Sequence, residues 1–421
     1  MDVKVLPVGL SGTVRAVSSK SQAHRALICA ALADQPTRIE CEDESEDIMA
    51  TVACLSALGA NIERKGGSYT VVPLKQDSDD SATLPCGASG STFHFLLPVI
   101  GALGRDAAFT MTGRLPERPL SPLHEELTNH GCRMSAQGSV PFYTSGRLAP
   151  GRYALAANVS SQFISGLLFA LPLLRETSYL HLYGSAESSP YVELTLAMLE
   201  TFGIHVKFDG AMFTIPGGQV YKSPGIVHIE GDWSNAAFWL GAGALSSSCV
   251  TCTGLDPQSQ QGDRVITDIL AQFGAQVSAD ESSVSVSGGN LRGIEVDARN
   301  IPDLVPILAV IGAVAKGDTV IRNAERLRFK ESNRLTTTTS FLRTLGADIN
   351  ETADGLLIHG VVVLTGGRVS SFGDHRIAMA ASIAATTCAD PVVISGAEAV
   401  NKSYPGFYSD LRGLGGSTQS I

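Results

Sequence analysis

Apolar residues along this chain follow two spacings, one typical of helices and the other typical of strands. In residues 44–58 the apolar positions recur at helical spacing, which predicts a helix with one buried face. Residues 61–72 then alternate apolar and polar side chains, as a half-buried strand does. The same succession returns in 191–215 and in 264–286. The pattern therefore predicts a repeated unit that contains both helices and strands.

A glycine closes each helix-like run at a nearly constant interval. The six positions are Gly59, Gly131, Gly203, Gly274, Gly346 and Gly415, with separations of 72, 72, 71, 72 and 69 residues. Glycine often ends a helix because it adopts the left-handed C-cap conformation without strain. Its recurrence indicates a unit of about 70 residues, ordered strand, helix, strand, helix and hairpin. Six such βαβαββ units predict an α/β (α+β) fold.

The repeat ends before its sixth hairpin, and this predicts how the chain is divided. Only six residues follow Gly415, whereas residues 1–19 have a strand, turn and strand pattern with no helix before it. We therefore expect residues 1–19 to supply the strands missing at the C-terminus. One domain would be 1–19 plus 231–421 and the other 20–230, each with three repeat units. A cleft between two such lobes is the expected ligand site.

Composition narrows the classes of function. The 421 residues are 44% hydrophobic, enough to bury two cores. No signal peptide is visible, and the most apolar runs, Phe163–Leu174 and Leu304–Ala315, are too short to span a bilayer. We therefore expect a cytoplasmic protein that does not bind membranes. The formal charge of −10 argues against nucleic acid as a partner, so an anionic ligand would need a local cluster of cations.

The cysteines favour a reducing compartment over a metal site. Eight are present, mostly within apolar runs. The one CxxC, Cys249–Cys252, alternates like a strand and lacks a second pair of ligands, so buried thiols are the favoured interpretation and zinc is the alternative. We expect no metal.

Four segments place polar residues where an apolar helix begins. They are 18–33, 86–95, 326–335 and 373–385, the last accompanied by 401–411. Helix N-termini and Gly/Ser-rich turns present N–H groups to phosphate or carboxylate, and the basic side chains add charge. Taken singly, each segment also fits a capped helix, a plain connection or a solvated charge network.

Together these segments resemble the enolpyruvyl transferase family, and within it the branch that acts on shikimate-3-phosphate. The resemblance spans nearly the whole chain and rests on motifs in the family's order: KSQAHRALICAALA, GASGST, LPERPLSPL, SSQFISGLL, SSPYVELTL, EGDWSNAAF, IPDLVPILAV, FKESNRL, GDHRIAMA and NKSYPGF. It implies a two-lobed inside-out α/β barrel built from six repeated βαβαββ units, three per lobe.

The resemblance also implies a reaction. The enolpyruvyl group of phosphoenolpyruvate (PEP) would pass to the 5-hydroxyl of shikimate-3-phosphate, with release of phosphate, through a tetrahedral intermediate. The reaction belongs to the shikimate pathway of aromatic amino-acid biosynthesis and needs no cofactor. The expected partners are these two small molecules, and we expect a monomer that glyphosate inhibits at the PEP site.

Family motifs imply the roles of individual residues. Catalysis is assigned to Lys20, Asp303, Glu331 and His375. PEP binding is assigned to Lys20, Gly90, Arg118, Gln162, Arg334, Arg376 and Lys402. Binding of shikimate-3-phosphate is assigned to Lys20, Ser21, Arg25, Ser160, Ser161, Gln162, Ser188, Asp303 and Lys330. The resemblance leaves open which of Lys20, Asp303 and Glu331 moves which proton.

The chain departs from the family pattern at three positions. His94 stands where the family usually has arginine, Ala88 where it has Asn or Glu, and Arg326 where some members have asparagine. Since imidazole loses its charge near neutrality, we expect His94 to make PEP binding sensitive to pH. Gly90, which has no side chain, leaves room for glyphosate.

Two alternatives remain at this point. A sister enzyme acts on UDP-N-acetylglucosamine and usually carries a reactive cysteine in a loop corresponding to residues 112–119, where this chain has none. A non-catalytic scaffold could bind a phosphorylated ligand without turnover. The intact set of Lys20, Asp303, Glu331, Arg334, His375 and Lys402 argues against the scaffold, since packing does not require these groups.

Overall fold

The computed structural model describes residues 1–75, 81–156, 160–184 and 189–421. Ser188, one of the residues assigned to shikimate-3-phosphate, lies outside the described residues. No helix in the described ranges is long and apolar enough to cross a membrane.

Strands and helices alternate along the described chain. The strands are β1 (Asp2–Val5), β2 (Gly12–Arg15), β3 (Thr37–Glu40), β4 (Asn61–Lys65), β5 (Ser68–Val72), β6 (Ala82–Gly87), β7 (Ala107–Met111), β8 (Arg133–Met134), β9 (Phe142–Ser145), β10 (Arg152–Ala156), β11 (Ser178–Tyr183), β12 (Lys207–Phe208), β13 (Met212–Ile215), β14 (Ile226–His228), β15 (Val250–Thr253), β16 (Gln276–Ala279), β17 (Ser283–Ser287), β18 (Glu295–Asp297), β19 (Asp318–Arg322), β20 (Asp348–Glu351), β21 (Leu356–His359), β22 (Gly367–Ser370), β23 (Val392–Ser395) and β24 (Thr418–Ser420). The α-helices are α1 (Lys20–Leu32), α2 (Glu46–Ala57), α3 (Gly90–Leu103), α4 (Leu123–Asn129), α5 (Ser161–Ala170), α6 (Ser189–Thr201), α7 (Trp233–Leu245), α8 (Ile266–Phe273), α9 (Val305–Val314), α10 (Arg334–Thr344), α11 (His375–Ala385) and α12 (Phe407–Gly413).

Within the described ranges these strands form six four-stranded sheets built to one plan. The orders are β14-β3-β5-β4, β6-β7-β9-β8, β10-β11-β13-β12, β2-β15-β17-β16, β18-β19-β21-β20 and β22-β23-β1-β24. In each sheet the first two strands are parallel and the others antiparallel, as in the pairing of β6 with β7 and of β7 with β9. The predicted repeat of βαβαββ units is confirmed. The six periodic glycines all have positive φ, from 70° to 105°.

The chain termini complete the sheets differently from our expectation. β1 pairs with β23 and β24, so the last six residues do supply one closing strand themselves. β2 pairs instead with β15 and opens the unit that contains α7. The prediction that residues 1–19 supply both missing strands is therefore wrong for β2. The strand Thr418–Ser420 has only three residues, so it fits within the six residues that follow Gly415.

The described chain separates into two compact units. Met1–Val17 with Glu230–Ile421 form one, called here the terminal unit, and Ser18–Ile229 form the other, called the central unit. Each unit has its own hydrophobic core. In the central unit β14 returns to pair with β3, which completes the first sheet with a strand from the end of that segment.

In each unit the core is built around apolar helices. α7, α9 and α11 contact one another in the terminal unit, and α3 packs on α5 in the central unit. Residues 305–313 of α9 are all buried. A helix that is apolar on every side must be covered on every side, so the sheets lie outside these helices. Polar N-cap residues precede several buried helices and accept hydrogen bonds from backbone N–H groups of the first turn. They are Ser19, Ser89, Ser160, Asp232 and Asp374, before α1, α3, α5, α7 and α11.

The cysteines lie within the described residues and are unpaired thiols, buried except for Cys249. The prediction of a buried thiol is right for Cys252 and wrong for Cys249, which lies in the turn before β15. No group of three or more potential metal ligands occurs in the part of the chain that the structure describes.

Candidate active site

In the terminal unit, Arg334 lies among carboxylates at the start of α10. Its Nε and one Nη donate to the two oxygens of Asp374 at 2.8 and 3.2 Å. The other edge of the guanidinium donates to Asp303 at 2.7 Å and to Glu331 at 2.8 Å. Arg334 is 1% exposed. Burial alone would lower its pKa, but the carboxylates raise the pKa well above its usual value. Arg334 is therefore a fixed, permanently charged group.

Asp303 joins two arginines at the start of the segment that leads into α9. Its carboxylate accepts from Arg334 at 2.7 Å and from Arg376 at 3.4 Å. Burial would raise the pKa of Asp303, but the charges of Arg376, Arg334 and Lys330 outweigh burial and hold the pKa well below its usual range. The carboxylate is ionised, and it accepts a proton poorly as long as these cations face it.

Arg376 reaches across the unit from the first turn of α11. One Nη donates to the backbone oxygen of Ser234 at 2.7 Å and to Asn235 at 3.4 Å. The guanidinium also lies 5.7 Å from the ring centre of Phe238. These contacts connect α11 to the N-terminus of α7 and orient the arginine toward Asp303.

A second carboxyl group, that of Asp263, is linked to Arg376 through Ser234. Asp263 is 2% exposed and accepts a hydrogen bond from Ser234, whose backbone oxygen accepts from Arg376. Its other oxygen, Oδ1, is buried without a hydrogen-bond partner. Burial, followed by the negative charge of Asp303, raises the pKa of Asp263 to about 7. The pKa values of the two carboxyl groups are thus shifted in opposite directions, which is frequent at catalytic sites.

Three of the remaining terminal-unit residues of the predicted set, Glu331, His375 and Lys330, interact with these groups, and the fourth is Lys402. Glu331 contacts Arg334 directly. His375 begins α11 and is buried, 3.7 Å from Asp374. Lys402 is buried at the end of a 3₁₀ turn, and Lys330 acts on Asp303 through its charge.

The other two arginines of segment 326–335, Arg326 and Arg328, form hydrogen bonds with residues outside this segment. Arg326 donates to the backbone oxygen of Arg299. Arg328 donates to Glu351 and to two neighbouring backbone oxygens.

In the central unit, Lys20 occupies the first turn of α1. Its Nζ lies 2.9 Å from Asp47 of α2, and both side chains are largely buried. Ser19 caps the helix and Ser21 follows Lys20, so a cation and N–H groups lie together at one helix N-terminus. This combination favours phosphate or carboxylate.

Arg25, one turn further along α1, is buried and held by acceptors of its own unit. It donates to Thr195 at 2.8 Å and to the backbone oxygens of Ser21 and Tyr191 at 2.6 and 2.8 Å. Burial lowers the pKa of Arg25 to about 10, so it remains charged at neutral pH. The contacts fix Arg25 next to Ser21, and a direct contact with shikimate-3-phosphate stays a prediction.

Gly90, Arg118 and Gln162 meet at the N-termini of α3 and α5. A Cβ at Gly90 would overlap Nη1 of Arg118 and lie 3.0 Å from its Cζ, so only glycine allows this approach. Arg118 donates to Oε1 of Gln162 at 3.5 Å. Three of the four predicted PEP residues of this unit, Gly90, Arg118 and Gln162, are thus brought into contact.

Two serines of the predicted set, Ser160 and Ser161, lie at the start of α5. Ser160 caps α5 and accepts from the backbone N–H of Gln162. Ser161 follows it as a half-buried residue, also in the first turn. Ser188 lies outside the described residues.

Three carboxylates that organise the site were not in the predicted set. Asp374 orients Arg334, and Asp47 pairs with Lys20. Asp263 is linked to Arg376 through Ser234. Asp47 and Asp374 stand at predicted helix starts, where an acidic residue is explained by capping alone. Only the unusual sequence DHR before an apolar helix hinted at Asp374. No pattern in the sequence pointed to Asp263.

Solved structures establish the class of fold. The chain resembles an EPSP synthase from Acinetobacter baumannii with a TM-score of 0.81 at 25% identity, covering 100% of both chains. It also resembles the enolpyruvyl transferase NikO from Streptomyces tendae with a TM-score of 0.79 at 20% identity, covering 99% of this chain and 98% of NikO. The fold is that of the enolpyruvyl transferases, as predicted.

Sequence comparison is more specific. The family model for EPSP synthase (3-phosphoshikimate 1-carboxyvinyltransferase) matches residues 6–411. A 3-phosphoshikimate 1-carboxyvinyltransferase of Clostridium kluyveri is 43% identical over 418 residues, 98% of this chain and 97% of that protein. One of Clostridium acetobutylicum is 43% identical over 420 residues, 98% of this chain and 97% of that protein. The chain belongs to the EPSP synthase family and is a transferase. The predicted family is confirmed, and the UDP-N-acetylglucosamine alternative is not favoured.

Proposed function

We propose that this chain transfers the enolpyruvyl group of PEP to the 5-hydroxyl of shikimate-3-phosphate and releases phosphate. Family membership supports the reaction, and the contacts of Arg334 support its chemistry. One edge of this guanidinium is bound to Asp374, and the other edge faces Asp303 and Glu331. A single fixed cation thus contacts two candidate proton-transfer groups at the place where an anion would bind.

The substrates are both anions, so their approach requires cations that offset the repulsion between them. For PEP we propose Lys20, Arg118, Arg334, Arg376 and Lys402, with Gln162 and the backbone at Gly90. For shikimate-3-phosphate we propose Ser21, Arg25, Ser160, Ser161, Gln162, Ser188, Asp303 and Lys330, together with Lys20. Both sets include residues of the terminal unit and residues of the central unit.

Asp303 is proposed to take the proton of the 5-hydroxyl. Without substrate, the neighbouring arginines hold the pKa of Asp303 low, and it is a weak base. An anion bound to Arg334 and Arg376 would offset part of their charge and raise the proton affinity of Asp303. PEP binding would in this way activate the base for its own reaction.

Glu331 and Lys20 are proposed as the pair that transfers a proton to and from the methylene carbon of PEP, with His375 nearby. Glu331 contacts Arg334, which places it next to the proposed carboxylate site. Positioned cations would stabilise the tetrahedral intermediate and the departing phosphate. No described residue cluster suggests a metal, and the assigned roles require none.

The organisation of the protein is part of the proposal. We propose two domains, residues 1–19 with 231–421 and residues 20–230, and a monomer in the cytoplasm. The buried free thiols suit a reducing compartment.

Phosphorus NMR tests the function. PEP and shikimate-3-phosphate are incubated with the protein, and the PEP signal should be replaced by inorganic phosphate and a new phosphorylated product. Substitution of UDP-N-acetylglucosamine for shikimate-3-phosphate should leave PEP intact. Turnover of PEP with UDP-N-acetylglucosamine but not with shikimate-3-phosphate would support the sister enzyme. If neither acceptor gave turnover, a binding scaffold would be supported.

A further inference from the structure

His94 of α3 contacts Gln162, one of the proposed substrate-binding residues. Its Nδ1 lies 2.7 Å from Oε1 of Gln162, and the imidazole is 2% exposed. The ring packs edge-on against Phe163 at a centroid distance of 5.0 Å and an interplanar angle of 90°. His94 is therefore held in one orientation beside the Gln162 amide.

This contact requires a close approach of two helices. Gly166 lies one turn after Gln162 on α5, and a Cβ at this position would overlap the backbone oxygen of His94. The same Cβ would lie 3.1 Å from Cγ of Pro98, one turn after His94 on α3. Glycine at 166 thus lets α5 lie against α3 at the level where His94 reaches Gln162.

The hydrogen bonds determine how the amide is turned. Arg118 can only donate, so the Gln162 atom 3.5 Å from its Nη2 must be the acceptor oxygen. The amide nitrogen then donates to Ser91 at 3.0 Å. Because the same oxygen faces His94, Nδ1 of His94 must carry the hydrogen. His94 and Arg118 donate to one oxygen from two sides.

We infer that His94 is a positioning residue of the PEP site, which fixes the Gln162 amide and through it the side chain of Arg118. The inference rests on the proposed function of Gln162 and Arg118. Without the donor at position 94, the amide can rotate and offer its nitrogen to Arg118, which a guanidinium cannot accept. Arg118 then loses its hydrogen bond to Gln162, and its guanidinium shifts. Binding of PEP should weaken, whereas the acid–base groups of the terminal unit are unaffected.

Two substitutions separate the hydrogen bond from the packing. In His94→Asn the side-chain NH₂ occupies nearly the place of Nδ1–H and keeps the donor. In His94→Leu the donor is lost and an apolar side chain of similar size remains. His124→Leu is the matched control, because His124 is a half-buried histidine of the same unit that bonds Ser135 and packs edge-on against Phe142.

Steady-state kinetics test the inference. We expect His94→Leu to raise the KM for PEP about five- to tenfold with kcat and the KM for shikimate-3-phosphate changed less than about twofold, since one hydrogen bond is worth about this factor. His94→Asn should stay within about twofold of wild type, as should the control. An unchanged KM for PEP in His94→Leu, or equal effects of Leu and Asn, would overturn the inference while the wild-type turnover still supports the function. A wild type without turnover would refute the function and the inference together.

Discussion

Arg334 and Asp374 are joined by two hydrogen bonds, of 2.8 and 3.2 Å, between buried side chains that begin neighbouring helices. A bidentate pair fixes the plane of a guanidinium as well as its position. The rest of the guanidinium therefore points in a set direction, toward Asp303 and Glu331. Asp374 determines where the proposed PEP cation lies, although it is not itself proposed to touch the substrate.

Replacing Asp374 by Asn tests this relationship. The amide keeps an oxygen that can cap α11 but removes the charge that Arg334 faces. Loss of one partner of a buried pair costs about 3 kcal/mol of stability or more, so we predict a clearly lower melting temperature and a strongly raised KM for PEP. The control is Glu295→Gln, because Glu295 forms an exposed pair with Arg322 at 2.7 Å. Such pairs contribute about 1 kcal/mol or less. Similar melting temperatures and KM values in both variants would contradict the role of Asp374.

Gly90→Ala should damage the PEP site through Arg118. The added methyl group would overlap the guanidinium, which must move. We predict a raised KM for PEP with a smaller change in the KM for shikimate-3-phosphate, and weaker inhibition by glyphosate. Gly413→Ala is the control, because a Cβ there meets nothing within 4 Å.

In wild type, glyphosate should compete with PEP. Inhibition that does not compete, or equal kinetics for the two alanine variants, would rule out this account of Gly90.

Asp263 predicts a pH dependence of stability. Its pKa is about 7 in the folded protein, above the usual value for aspartate. Folding therefore favours the protonated form, and the stability this provides at low pH is lost as the pH rises from about 4 to about 7. Asp263→Asn stays neutral and should avoid the loss. The melting temperature of Asp263→Asn minus that of wild type should therefore increase as the pH rises across this range. The increase should correspond to a difference in unfolding free energy of at most about 4 kcal/mol.

The control for Asp263 is the exposed Asp268 on the neighbouring helix α8. Its Asn variant should keep a nearly constant difference from wild type. A difference for Asp263→Asn that does not vary with pH would show that burial does not shift this carboxyl group.

His94→Arg tests the expectation that imidazole makes PEP binding sensitive to pH. Imidazole loses its positive charge near neutrality, whereas guanidinium keeps it. We predict that the apparent affinity of wild type for PEP falls from about pH 6 to about pH 8 more steeply than that of His94→Arg. The comparison between variants removes the titration of PEP itself. Parallel profiles would refute the expectation.

Much of the fold was predictable because its signals are local. A glycine at the end of an apolar helical run, such as Gly274, commonly closes the helix because it adopts positive φ without strain. The segment VPILAVIGAV of α9 can only be buried. The placement of β2 was not predictable in this way, because a short strand at a chain terminus fits several sheets equally well. Its partner β15 is more than two hundred residues away.

The site was predictable only as far as family motifs reached. Arg334 and Asp303 were named from such motifs, and the structure brings them to 2.7 Å. Asp263 could not be found, because its proximity to Arg376 depends on how α7 and α11 pack, and nothing local in the sequence records it. His94 was recognised as a departure, yet its contact with Gln162 follows from the close approach at Gly166.

The most direct test of the account is the rate of phosphate release from PEP with and without shikimate-3-phosphate, for wild type and for Asp303→Asn. We predict rapid release by wild type only when both substrates are present, and a loss of at least about a hundredfold in kcat for Asp303→Asn with a smaller change in the KM for PEP. Release that does not depend on shikimate-3-phosphate, or a variant as fast as wild type, would contradict the claim that cations at Arg334 and Arg376 bind PEP beside a base at Asp303.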